Sequence, residues 1–336
     1  MWKAYRAAVA GVSHIKQNTP CQDATGFYRD ADCSVVVLAD GAGSAARSEL
    51  GAEAVCSCAG EYLAGHFDRL YDKSRQAAAK AEFLGFILDQ LTQLAAGSDC
   101  QVRDLASTVL AAAVKGRRYL VIHLGDGVVG CLRGNRIDVL SHPSNGEYSN
   151  ETYFTTSSDA FDMMRLFRGG VGSISGFILM SDGPAAGLYD RRNKTLSQVN
   201  RRMIEQCAEA EEEEGSGMLS AFLADVMRQK TTDDCSIAIL ADPDLLYLPA
   251  DRKEGNTERY GLDPSVSGTD KRIRQMDLIL DALQMPRSRK ELLYLLRNTG
   301  SPLFRQMKDK TLLRRLEALK EKGFLETENG KYKAVR

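Results

Sequence analysis

Apolar residues along this chain fall into two rhythms. Ser34–Ala39, Ser173–Met180 and Cys235–Ala241 are short runs without a polar alternate, the pattern of strands buried on both faces. Between Ala106 and Leu140 the runs STVLAAAV, RYLVIHLG, VVGCLRG and RIDVLS are parted by Lys115-Gly116, Asp126-Gly127 and Gly134-Asn135. Such dipeptides favour tight hairpins, so the segment predicts an antiparallel meander. Ala4–Ser13 alternates loosely and predicts a first strand, followed by a polar loop, HIKQNTPCQDA.

The second rhythm is helical. GAGSAARSEL leads into an amphipathic stretch ending near Leu63, with Ser44 as the expected N-cap. Phe83, Ile87, Leu91 and Leu94 recur at helical spacing within Gln76–Ala95. Leu196–Cys207 and Met218–Gln229 predict two more helices, and Glu211–Glu214 between them reads as a solvated loop.

Pro249–Asp270 is rich in Gly, Asp, Ser and Thr and has no apolar period, the profile of a linker. Beyond it Ile273–Gln284 is amphipathic, Ser288–Glu291 is a capping box, and Leu312, Leu313, Leu316 and Leu319 form the stripe of a third helix stopped by Gly323. FLETENGKYKAV then turns at Asn329-Gly330 as a hairpin. Three helices and a hairpin resemble a winged helix. The expected organisation is a large domain over 1–248, a linker over 249–270 and a small domain over 271–336.

A chain of 336 residues, 43% hydrophobic and 26% charged, has the balance of a globular protein with more than one core. Its net charge of −1 conceals a division: the residues from Lys271 onward carry 17 Lys and Arg against 8 Asp and Glu, and the part before them is acidic. Lys310, Arg314, Arg315, Lys320 and Lys322 lie opposite the leucine stripe, where they suit duplex phosphates or an acidic protein surface. Eight cysteines without a Cys-x-x-Cys pair read as reduced thiols, and the N-terminus has no signal-peptide core. With no stretch long enough to span a bilayer, the expected location is the cytoplasm.

The chemistry resides in aspartates. SVVVLAD, YLVIHLGD and GFILMSD each run straight into a glycine, at Asp40-Gly41, Asp126-Gly127 and Asp182-Gly183, and Asp234 precedes CSIAILA. A single Asp-Gly reads as a turn. Four carboxylates at the mouths of buried strands are costly unless paired with a cation, which suggests one shared site. All are hard oxygen donors without nearby His or Cys spacing, which suits Mg²⁺, Mn²⁺ or Ca²⁺ and not zinc. Paired divalent ions lower the pKa of a bound water for in-line attack on phosphorus.

In order, QDA at Asp23, VVVLADGAG at Asp40, AST at Ser107-Thr108, HLGDG at Asp126, ILMSDG at Asp182 and DDCSIAIL at Asp234 resemble the protein phosphatase 2C family of metal-dependent Ser/Thr phosphatases, from about Gly11 to Asp242. The resemblance implies an α+β fold, two packed antiparallel sheets flanked by helices, with Mg²⁺ or Mn²⁺ in a cleft at one end. It implies that Asp40 bridges two metals, the Gly41 carbonyl binds the second, and Asp182 and Asp234 complete the first. Asp23 would hold a metal-linked water, and Asp126 with Asp182 a looser third ion. The implied reaction is hydrolysis of phosphoserine and phosphothreonine in a phosphoprotein.

The chain departs from the family at several positions. Gln22 stands where many members carry Glu, and Ala42 where animal members carry the His thought to protonate the leaving group, which leaves the general acid open. The phosphate-binding Arg has no counterpart, and His14 or Lys16 could replace it or belong to a plain surface loop. Asn150 and Glu151, in HPSNGEYSNET, match a bacterial branch without an assigned role. His66 reads as a surface residue and His123 as a core one. Two rival readings are a DNA- or protein-binding regulator with a phosphatase-like sensor body, and a hydrolase of small phosphoesters whose specificity lies in Pro184–Lys194 and the Glu-rich loop.

Overall fold

The computed structural model describes residues 1–246 apart from 31, 135, 145–151 and 173, and beyond them 272, 275, 276, 279, 280, 283, 286–298, 307–328 and 330–335. The chain forms two compact units, Met1–Tyr247 and Leu248–Arg336. The expected linker and the HPSNGEYSNET stretch from 145 to 151 lie outside the described residues.

The first unit is built on two five-stranded antiparallel sheets. One contains β1 (Lys3–Val9), β6 (Val128–Arg133), β7 (Arg136–Ser141), β9 (Ile174–Met180) and β12 (Cys235–Ala241), in the order β1-β12-β9-β6-β7. The other runs β2-β3-β4-β5-β8, from β2 (Asp23–Arg29), β3 (Cys33–Asp40), β4 (Val109–Lys115), β5 (Arg118–Leu124) and β8 (Arg165–Gly170). A two-stranded ribbon, β10 (Tyr189–Asp190) with β11 (Thr195–Leu196), stands apart.

The helices are α1 (Val12–Gln17), α2 (Ser48–Gly65), α3 (Phe67–Tyr71), α4 (Gln76–Gly97), α5 (Ala160–Met163), α6 (Asp182–Leu188), α7 (Gln198–Glu209), α8 (Glu212–Phe222) and α9 (Pro243–Leu246). The uninterrupted apolar strands are explained by three cores. Val36 and Leu38 of β3 join Leu110, Phe177, Leu179 and Leu240 between the sheets. The alternate residues Val35, Val37 and Ala39 pack with Val55 and Leu63 of α2 and with Phe83, Ile87 and Leu91 of α4. On the outer face of the other sheet, Ile178, Ile237 and Ile239 meet Ile204 of α7 and Leu219 of α8. The result is an α+β sandwich, helix, sheet, sheet, helix, with hydrophobic burial on both faces of each sheet.

Several details differ from the sequence expectation. The four runs from Ala106 to Leu140 do not form one meander: β4 pairs with β5 and β6 with β7, while β5 and β6 belong to different sheets. Asp126-Gly127 is therefore a crossover between sheets, not a hairpin. The first strand stops at Val9, and the expected polar loop contains α1 and the opening residue of β2. β2 and β8 have half-buried, glycine-containing sequences with little apolar signal. Ser44 does not cap α2, which begins after Arg47. Glu212–Glu214 form the first turn of α8, where negative charge favours the helix dipole, and Glu212 accepts hydrogen bonds from Ala4 N–H (2.7 Å) and Arg29 (2.6 Å).

In the second unit, Ser288 N–H donates to Glu291 at 2.7 Å, and Glu291 N–H to Ser288 Oγ at 3.4 Å, opening the helix Arg289–Asn298 with the expected reciprocal cap. Leu312, Leu316 and Leu319 of the helix Asp309–Glu321 are buried with Met276, Ile279 and Leu283. Gly323 ends that helix at φ +76°, and Leu325–Glu328 pairs with Lys331–Ala334. Lys310, Arg314, Lys320 and Lys322 are exposed, but Arg315 turns inward to donate to Gln275 at 3.2 Å and leaves the basic face. Among the described residues no helix is long and apolar enough to cross a membrane.

Candidate metal centre

All the sequence-marked aspartates lie at one end of the sandwich, because the strands that lead to them run the same way. Asp40 ends β3, Asp126 follows β5, Asp182 follows β9, and Asp233 and Asp234 precede β12. A cleft of about 160 Å³ opens there, lined by Asp40, Asp126, Asp182, Asp233 and Asp234 together with His14, Gln22, Thr108 and Thr152. Among the described residues, no lysine or arginine lines it.

The glycines beside these aspartates are selected by space. None of Gly41, Gly127 and Gly183 has a positive φ, so none serves a left-handed turn. A Cβ on Gly41 would lie 2.7 Å from the Gln22 carbonyl oxygen, one on Gly127 2.6 Å from that of Met180, and one on Gly183 2.0 Å from that of Asp234. Each glycine lets the backbone carrying a carboxylate close on a neighbouring segment. Asp40 is fixed further by Thr108, whose Oγ1 accepts from Asp40 N–H at 2.9 Å and whose N–H donates to the Asp40 carbonyl at 2.8 Å.

The electrostatics are those of crowded anions. Burial, then Asp23, Asp182, Asp126 and Asp233, holds the Asp40 carboxyl well above its ordinary value. Burial, with Asp126 and Asp233, pushes Asp182 up to about 6, and Asp182 shares a hydrogen bond with Asp40. Among the described residues no three His, Cys, Asp or Glu side chains are drawn together tightly enough to hold one ion as they stand. The donor set of carboxylates and a backbone carbonyl fits hard divalent cations such as Mg²⁺ or Mn²⁺.

The other expected site residues take different places. Asp23 is 7% exposed, lies opposite Asp40 in the strand register, and accepts from Ser181 Oγ at 2.8 Å. It is absent from the cleft lining, and burial pushes it up to about 7. Asp234 was expected as a metal carboxylate, yet both its oxygens are taken: Oδ1 accepts from Gly11 N–H and His14 Nδ1, each at 2.7 Å, and Oδ2 from Gln22 N–H at 2.6 Å. Its neighbour Asp233 is exposed and faces the other carboxylates. The sequence reading passed over Asp233. The doubled Asp in DDCSIAIL marked two carboxylates one residue apart, of which only one can point each way.

Lys16 is exposed and does not line the cleft, whereas His14 lines it while bonded to Asp234. Gln22 and Ala42 both line it. Asp126 accepts from Thr152 Oγ1 at 2.6 Å. His123 is fully buried against Ser141 and the Gly125 carbonyl, as a core residue, and His66 is half-buried, stacked on Tyr62 at 4.2 Å.

The family model for protein phosphatase 2C matches residues 10–228. Serine/threonine-protein phosphatase 3 of Escherichia coli (strain K12) is 29% identical over 171 residues, 49% of this chain and 67% of that protein. Among solved structures, the Staphylococcus aureus serine/threonine phosphatase Stp1 superposes with a TM-score of 0.50 at 16% identity, over 72% of this chain and 95% of that one. A bacterial serine phosphatase does so with a TM-score of 0.50 at 15% identity, over 72% and 98%. The two solved structures speak for the fold. The chain belongs to the protein phosphatase 2C family, the metal-dependent phosphatases of protein serine and threonine phosphates.

Proposed function

We propose that Asp40, the Gly41 carbonyl, Asp126, Asp182 and Asp233 hold two Mg²⁺ or Mn²⁺ ions, with Asp126 and Asp182 offering a looser third position. Asp233 replaces Asp234 in the expected set, and Asp23 and Asp234 become supports. The observation that carries the assignment is the convergence of five carboxylates, from four separated stretches of chain, on one cleft with no lysine or arginine among its described lining residues. Bound divalent ions there supply positive charge to phosphoryl oxygens and acidify water for attack on phosphorus. The chain's own residues fix the carboxylates: Thr108 sets Asp40, Thr152 sets Asp126, and the missing Cβ of Gly183 admits the Asp233-Asp234 backbone.

Phosphoserine and phosphothreonine in a protein are the proposed substrates. The deciding measurement is phosphate release from phosphopeptides with Mn²⁺, with and without chelator, for the parent chain and Asp40→Asn. Equal release in both proteins would refute the assignment.

For the second unit, the exposed Lys310, Arg314, Lys320 and Lys322 support docking to an acidic partner protein, with DNA the competing partner. A mobility-shift titration at several salt concentrations separates them, since duplex binding must weaken steeply with salt. The eight unpaired cysteines, five of them buried, support a reducing cytoplasmic location.

A further inference from the structure

We propose that His14 is the general acid of this phosphatase and that Asp234 is the positioning residue that aims it. The inference rests on the metal-phosphatase reading above and names a residue of that same cleft. It begins from a chemical need. A serine alkoxide is a strongly basic leaving group, and its departure from phosphorus calls for a proton. Ala42, at the position after Asp40-Gly41, has none to give.

Among the lining side chains, the imidazole of His14 carries a ring N–H that can pass a proton to a leaving oxygen; Thr108, Thr152 and the Gln22 amide are not general acids. Its geometry is that of an oriented ring. Nδ1 donates to Asp234 Oδ1 at 2.7 Å, and Asp234, 3% exposed, is itself held by the Gly11 and Gln22 N–H groups at 2.7 and 2.6 Å. That bond fixes the tautomer and commits one ring face to the buried side. Nε2 makes no hydrogen bond among the described residues, and the ring is 17% exposed, at the cleft wall. His14 has no place in the proposed ion-binding set, and neither has Asp234, whose two oxygens are occupied by N–H donors.

In the step itself, the oxygen of water forms a bond to phosphorus while the bond from phosphorus to the serine oxygen breaks. The electron pair of the broken bond goes to the serine oxygen, which takes the Nε2 proton of the imidazolium and leaves as the hydroxyl. The proton released by the attacking water restores the imidazolium. Serine and hydrogen phosphate are the products, and the enzyme is unchanged.

The test compares two leaving groups in the full chain with Mn²⁺: a phosphoserine peptide, whose alkoxide needs the proton, and p-nitrophenyl phosphate, whose phenolate hardly does. His14→Asn keeps an amide near the Nδ1 position for Asp234 and removes Nε2. Its turnover of the phosphoserine peptide should fall about 100-fold, the lower range for a lost general acid. Its loss on p-nitrophenyl phosphate should be at least tenfold smaller, with the Mn²⁺ dependence unchanged. Asp234→Asn should shift the ratio of the two rates in the same direction by less. Equal losses on both substrates in His14→Asn, or no loss, would overturn the proposal, because a residue that merely supports the site cannot tell the leaving groups apart. If the parent chain hydrolyses neither substrate with Mn²⁺, it is the metallophosphatase reading that fails.

Discussion

The two ends of the sandwich use glycine for opposite reasons. At the far end, Gly116 and Gly134 turn the chain between β4 and β5 and between β6 and β7, at φ of +57° and +60°, and a Cβ at either would meet nothing within 4 Å. At the cleft end, Gly41, Gly127 and Gly183 have ordinary backbone angles, and a Cβ at any of them would strike a carbonyl oxygen. The far end uses these glycines for direction and the three Asp-Gly pairs use theirs for proximity, while Gly125, beside Asp126, does both, at φ +126° and with a Cβ 2.5 Å from the Thr108 side chain. The close approaches at Gly41, Gly127 and Gly183 go with Asp40, Asp126 and Asp182 meeting in one cleft.

The largest expected effect falls on that crowding directly. Asp40→Asn or Asp182→Asn should lower phosphate release from a phosphopeptide by about 1,000-fold or more, each removing ligand charge at nearly constant volume. The metal-free variants should unfold at the same temperature as the parent or higher, since one repelling charge is gone.

Next comes the glycine contrast. Gly183→Ala places a methyl 2.0 Å from the Asp234 carbonyl oxygen, so the backbone must move. Urea unfolding should register a loss of about 3 kcal/mol, at the upper end for overpacking, with weakened Mn²⁺ affinity. Gly116→Ala should cost only about 1–2 kcal/mol, the price of a left-handed alanine, and leave Mn²⁺ affinity alone. Similar losses at the two positions would erase the distinction drawn between the ends.

Adjacent aspartates sharpen it further. Asp233→Asn should weaken Mn²⁺ binding at least tenfold with little change in stability. Asp234→Asn should destabilise by about 1–3 kcal/mol, because buried N–H donors are left facing an amide. Isothermal titration and thermal melts read the two variants in parallel.

The smallest effect is on pH. The carboxyls of Asp23, Asp40 and Asp182 are raised by burial, with Asp182 at about 6 and Asp23 at about 7, while the unfolded chain titrates them near the ordinary value of about 3.9. Below that value both states are protonated and the folded protein suffers no penalty. As pH rises through 6 and 7, the unfolded state has already released protons that the folded state still holds, so stability is lost. Chelated protein should therefore melt a few °C lower at pH 7.5 than at pH 5, at about 2–4 °C per kcal/mol. Saturating Mn²⁺ should flatten that slope.

What the sequence revealed follows the same division. β3, β4, β5, β9 and β12 were legible because burial on both faces leaves no polar alternate, and α4 because its apolar positions repeat at helical spacing. β2 and β8 were not, since DATGFYR and RLFRGG are half-buried and pack too little apolar surface to stand out. The Asp-Gly motif located the cleft but suggested the wrong local geometry at Asp126, because a turn glycine and a proximity glycine are the same letter. The choice between Asp233 and Asp234 depends on which carboxylate meets Gly11, His14 and Gln22, contacts made by residues more than two hundred positions away.

The pairing of β1 with β12, Lys3 against Ala241 and Val9 against Cys235, has a consequence for biosynthesis. Within this unit the first strand to be made must wait for the last before its hydrogen bonds can form, and this long-range closure favours slow folding. Until then β9 offers an open edge that invites association with other chains. Because Asp233 sits at the threshold of β12, a nascent chain lacks the full set of cleft carboxylates until nearly the whole unit has been translated.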